Sequence, residues 1–111
     1  METSTAVAAL GALAQESRLE VFRLLVQRGP AGLPAGEIGE RVGIPATTLS
    51  FHLAQLSHAG LVTSRREGRS IIYAADYVGM RALMDYLTKN CCQGECAPAV
   101  ASGRSGSRKK S

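Results

Sequence analysis

The stretch Glu37–Val62, "EIGERVGIPATTLSFHLAQLSHAGLV", decides how the chain folds. Ile38 and Val42 are the apolar pair of a short helix predicted over residues 35–42, one turn apart on a single face. Gly43-Ile44-Pro45 then breaks the pattern. Pro45 suits the first turn of a new helix, where its missing N–H would have had no intrahelical partner. That second helix is expected from Pro45 to about Ala59, with Leu49, Leu53 and Leu56 on one face and Gly60 as its stop. Two helices joined by a glycine-containing turn form a helix-turn-helix unit.

The face opposite those leucines carries Thr47, Thr48, Ser50, Phe51, Ala54 and Gln55. A helix facing only water would ordinarily use Glu and Lys there. A helix that lies in the major groove of DNA excludes carboxylates, and its hydroxyl and amide groups reach phosphates or base edges. A run without a single acid, followed directly by a basic segment, favours DNA over an ordinary solvated face. His52 is counted with the DNA-facing residues, as a phosphate contact or as packing.

Downstream, "LVTSRREGRSIIYAA" supplies two β-prone runs, Leu61–Ser64 and Ile71–Ala74, around Arg65, Arg66, Glu67, Gly68, Arg69 and Ser70. This reads as a hairpin with glycine at its tip. Arg65, Arg66 and Arg69 against one acid make it locally positive, and guanidinium forks match phosphate oxygens. Upstream, Val7, Leu10, Leu13 and Ala14 have helical spacing over residues 4–14. Ser17 and Glu20 match a capping box for a helix running to about Arg28, with Leu19, Phe22, Leu25 and Val26 inward. "GPAGLP" reads as a linker. A final helix opens at Asp76, with Met80, Leu83, Met84 and Leu87 inward and Asn90 as its terminator. The expected architecture is mainly α with a small β-hairpin: a winged helix-turn-helix, dimeric.

Composition bounds the alternatives. A chain of 111 residues with 45% hydrophobic and 20% charged side chains is one small globular domain. With no tryptophan, its core rests on Leu, Val, Ile and Ala, and a core this modest is commonly completed by a partner subunit. The net charge of +4 is not a DNA signal by itself. Arg104, Arg108, Lys109 and Lys110 sit in a Ser/Gly-rich tail without an acid, leaving nine bases against nine acids in residues 1–100. We therefore divide the chain into a domain over 1–96 and a disordered basic tail over 97–111. "AVAALGALAQ" superficially suits a secretory cleavage site, but Glu2 stands where a basic residue belongs. No stretch approaches the roughly 18 apolar residues of a membrane span. The expected location is the cytoplasm, where thiols stay reduced.

"LGALAQESRLEVFRLL" (10–25), the helix-turn-helix stretch with Ser50-Phe51-His52-Leu53, and "SRREGRSIIYAA" (64–75) together resemble the ArsR/SmtB family of small winged-helix repressors. The resemblance covers about residues 5–90. It implies a homodimer, paired through its first and last helices, that occupies operator DNA until an effector binds. Two family effector sites are missing. The third helix, "PAGEIGERV", lacks the Cys-x-Cys pair of arsenic sensors. The last helix, "DYVGMRALMDYL", has Asp76 but none of the histidines of zinc sensors.

All three cysteines instead lie in "NCCQGEC" (90–96), as Cys91, Cys92 and Cys96. Three thiols in a reducing compartment do not make a disulfide framework. Zinc wants four tetrahedral ligands, so it would need Glu95, water or another subunit. A redox switch, with Cys96 bridging to Cys91 or Cys92, remains open. A trivalent metalloid fits the count better: As(III) or Sb(III) is thiophilic and completes its shell with three sulfurs. Family members with cysteines displaced to the C-terminus answer to arsenicals, and the resemblance implies the same effector here. No nucleophile–base pair is present to suggest an enzyme, and no catalytic cofactor is expected.

Overall fold

Residues 1–94 are described by the computed structural model; Cys96 and the tail expected over 97–111 lie outside the described residues. The elements follow in the order α1 (Thr3–Leu13), α2 (Glu16–Arg28), β1 (Leu33–Pro34), α3 (Ala35–Val42), α4 (Ala46–His58), β2 (Val62–Glu67), β3 (Ser70–Ala75) and α5 (Tyr77–Thr88). A 3-10 turn, Cys91–Gly94, comes after α5. The fold is a winged helix-turn-helix, mainly helical with a small antiparallel sheet.

The turn at Gly43-Ile44-Pro45 forms for a local reason. Gly43 sits in the left-handed region at φ 73°, where a side chain is strained, and its N–H donates to Gly39 O at 2.8 Å. Ile44 N–H shares the same carbonyl at 3.1 Å. The chain therefore leaves α3 sharply, and Pro45, extended at ψ 152°, starts α4. Ile38, Leu49, Leu53 and Leu56 are all buried, and with Val21, Leu25, Leu33 and Leu61 they form the centre of the core.

The sheet has strand order β1-β3-β2, antiparallel throughout. Both hairpin strands extend further than the apolar runs predicted, to Glu67 and from Ser70, because cross-strand pairing continues through polar residues up to the turn. β1 falls in the stretch taken for a linker: Leu33 pairs with Tyr73 and Pro34 with Ile72. Two residues carry no period, so only the neighbouring strand reveals it.

The spacing left the inward face of α1 open, and the readings of α2 and α5 need correction. In α1 the buried face is Ala6, Ala9 and Ala12, while Val7 and Leu10 are exposed. A helix apolar on every side does not say which side is inward, and the alanines win because they permit close packing on α2 and α4. In α2 the cap is Gln15, whose Oε1 accepts from Arg18 N–H at 2.8 Å; Ser17 lies inside the helix and the Ser17/Glu20 box does not form. Leu19, expected inward there, is exposed, and Val21 is buried instead. In α5 the Asp76 cap does form, its carboxylate accepting from Gly79 N–H at 3.0 Å. Of the four residues expected inward, however, only Leu83 is buried; Met80 is half-buried, and Met84 and Leu87 are exposed.

The first turn of α5 is seated on the turn that follows α4. Asp76 N–H donates to Leu61 O at 2.8 Å, and a Cβ on Gly79 would collide with Gly60 O. At its other end Tyr86 Oη and Thr3 Oγ1 share a hydrogen bond, which holds α5 beside α1.

Candidate DNA interface and cysteine site

On α4 the leucine face is packed inward, which leaves Thr47, Thr48, Ser50, Phe51 and Ala54 exposed and Gln55 half-buried. Phe51, 58% exposed, adds an aromatic ring to this face. These are the residues expected to face DNA, and none of them carries a formal charge. Their hydroxyls and amide can both donate and accept, as base edges require.

His52 differs from the exposed set. It lies between the two faces and turns inward, 7% exposed, with Nδ1 3.4 Å from an Arg18 guanidinium nitrogen. Arginine can only donate, so Nδ1 is the acceptor and the ring is neutral with its proton on Nε2. Burial pushes its pKa below the usual 6.5, and the Arg18 charge pushes it the same way. Arg18 also donates from Nε to Ala12 O at 2.7 Å. This pair therefore ties the corner between α1 and α2 to α4, which is the packing reading of His52.

The wing divides its arginines between two faces. Along β2, residues 63, 65 and 67 share one side and 64 and 66 the other. Arg66 stands opposite Ile71, and Arg69 occupies the turn after Gly68; both are exposed. Arg65 stands opposite Ile72 and is already engaged: Nε to Glu67 Oε2 at 2.7 Å, and its terminal nitrogens to Pro30 O at 3.2 Å and Ala31 O at 2.8 Å. Composition alone counts three equivalent arginines. Strand parity is the signal that separates Arg65 from Arg66.

At the far end, α5 stops at Thr88 and the chain turns through Asn90 at φ 60° and Cys92 at φ 52°. Left-handed backbone at two non-glycine residues marks a sharp local reversal. It brings Cys91 Sγ to 3.7 Å from Cys92 Sγ, with both residues exposed. That spacing is far beyond a disulfide bond of about 2.05 Å. Among the described residues no three His, Cys, Asp or Glu side chains gather as a metal-holding group. The expected trio needs Cys96, which lies outside them.

Helix-turn-helix, arginine-bearing wing and uncharged recognition face define a DNA-binding transcriptional regulator. Comparison with known proteins agrees: residues 13–65 match a helix-turn-helix domain family. The transcriptional activator HlyU of Vibrio cholerae is 32% identical over 91 residues, 82% of each chain. The solved structure of reduced HlyU from that organism superposes with a TM-score of 0.61 at 31% identity, over 82% of this chain and 93% of the other. A homodimeric winged helix-turn-helix domain from Mycobacterium bovis, a possible ArsR-family regulator, gives 0.63 at 29% identity, over 81% and 83%. The chain belongs to the ArsR/SmtB family of winged helix-turn-helix regulators. No helix among the described residues is long and apolar enough to cross a membrane.

Proposed function

We propose that this protein is a metalloid-responsive repressor, cytoplasmic and without enzymatic activity. It binds operator DNA as a homodimer and is released when As(III) or Sb(III) takes Cys91, Cys92 and Cys96. The observation that carries the effector reading is the exposed Cys91–Cys92 pair, sulfurs 3.7 Å apart, directly after α5. Two soft donors at that spacing can converge on one thiophilic atom, and Cys96 supplies a third within a short reach of chain. The dimer reading rests on the apolar side chains left exposed on α1 and α5, namely Val7, Leu10, Val78, Met84 and Leu87. It is supported by the homodimeric relative. A second copy sets the recognition helices for successive major grooves, about 34 Å apart.

Release follows from linkage. A metalloid that gathers the cysteines constrains the chain after α5, and α5 touches both α1 and the turn that follows α4, through Tyr86 and Gly79. The effector acts as an inducer if it binds the DNA-incompetent arrangement more tightly, with a coupling of about 1–3 kcal/mol.

A redox switch is the second reading, since a relative's structure is that of its reduced form and two thiols here are neighbours. One titration separates the two. Arsenite should release labelled operator from the wild type, and Cys96→Ser should bind DNA normally yet fail to respond. A full arsenite response in Cys96→Ser removes the three-thiolate site. Release by peroxide, reversed by dithiothreitol and absent with arsenite, assigns the cysteines to redox sensing.

A further inference from the structure

The arginines of the wing are not equivalent. Arg65 lies on β2, one of the two edge strands of the sheet, opposite Ile72 of β3, which is in turn opposite Pro34 of β1. Its guanidinium crosses this row and reaches the turn between α2 and β1, where Pro30 O and Ala31 O accept from its two terminal nitrogens. Nε is held by Glu67 of the same strand. Three of the five N–H groups thus have protein acceptors, in the planar fork that arginine offers and lysine does not.

The turn it grips is itself fixed to the body of the domain. Arg28 Nε, at the end of α2, donates to Gly32 O at 3.0 Å. Gly32 is buried at φ 70°, and a Cβ there would fall 2.5 Å from Tyr73 O and 2.8 Å from Ile72 Cγ2. The turn therefore presses on β3 with no room to spare. Ile72 is the last buried residue of the hairpin before its tip: from Thr63 to Ile71 every residue is exposed.

We infer that Arg65 is a positioning residue. It braces the wing against the Pro30–Ala31 turn, so that Arg66 and Arg69 meet the DNA backbone from a preset angle, and it makes no phosphate contact of its own. A wing held in its bound pose loses less conformational freedom on binding than a swinging one. This rests on the reading that the wing contacts DNA, and the experiment keeps the two apart.

Operator affinity is measured against salt concentration for Arg65→Ala, Arg65→Lys and the double variant Arg66→Ala/Arg69→Ala. Amide hydrogen exchange of the wing is followed in the DNA-free proteins. Removing one phosphate-binding cation should reduce the salt slope by about 0.9, so the double variant should bind with a clearly shallower slope. Arg65→Ala should weaken binding roughly 3- to 10-fold, the scale of one or two net hydrogen bonds, with the wild-type slope. Exchange in residues 64–71 should quicken without DNA, and Arg65→Lys should rescue neither property. A slope reduced by that full increment in Arg65→Ala, with unchanged exchange and near-normal binding by Arg65→Lys, would make Arg65 an ordinary phosphate ligand and overturn the inference alone. A wild-type slope and affinity in the double variant would take the wing out of the interface and overturn both readings.

Discussion

Helices α4 and α5 are nearly equal in length, 13 and 12 residues, yet they end up in opposite conditions. α4 buries Leu49, His52, Leu53 and Leu56 and shows an uncharged polar face. α5 buries Leu83 and leaves Val78, Met84 and Leu87 in contact with solvent. The first helix is satisfied within its own chain, and its outer face is chemically suited to a polar polymer. The second carries Arg81 and Asp85 on its surface as well, yet leaves three large apolar side chains without cover in the single chain. Under the proposed function these are the surfaces for DNA and for a second copy, and Cys91 and Cys92 follow directly after the latter.

If α4 is complete in one chain, a cavity beneath it should cost the same at any protein concentration. Leu53→Ala should lower unfolding stability by about 2–5 kcal/mol, measured by urea titration at two concentrations tenfold apart. A cost that depends on concentration would make α4 part of the dimer contact and dissolve the contrast.

α5 should behave in the opposite way. Leu87→Glu puts a charge into the proposed contact but leaves the core of the single chain untouched. We expect dissociation in sedimentation equilibrium and at least a tenfold loss of operator affinity, about 1.4 kcal/mol. A variant that stays dimeric moves the second copy to another surface.

The smallest effect concerns His52, the buried residue of α4 that joins it to Arg18. Its folded pKa lies below 6.5 through burial and then through the Arg18 charge. The unfolded chain therefore takes up the proton first. The stabilisation is present above pH 6.5 and is lost as the pH falls through the folded pKa. Wild type should lose stability between pH 7.5 and pH 5 by more than His52→Gln does. Equal losses in the two proteins would mean that the ring is not held neutral by its surroundings.

How far the chain could be read follows the strength of its local signals. The helix-turn-helix was legible because Gly43, Pro45 and the Leu49/Leu53/Leu56 spacing each point the same way, from backbone sterics and from helical period. The wing was legible as a hairpin, though not to its full length. The capping box was misread because Gln15, two residues earlier, offers a side-chain acceptor that captures Arg18 N–H. The inward face of α1 was left open and that of α5 misassigned because each helix has more apolar residues than one face can hold. A period identifies a stripe, but only packing chooses between stripes.

Among the site residues, the sequence by itself determined which side chains were available: an uncharged face on α4, three arginines in the wing, and thiols confined to 91–96. Their roles were decided by tertiary structure. His52 became a buried link because Arg18 arrives from a different helix, 34 residues away. Arg65 parted from Arg66 because its fork finds two carbonyls in a turn some 35 positions earlier. Local sequence carries backbone preference and hydrophobic period, both settled among near neighbours. Whether a polar group is already satisfied depends on partners that only the folded chain brings within hydrogen-bond reach.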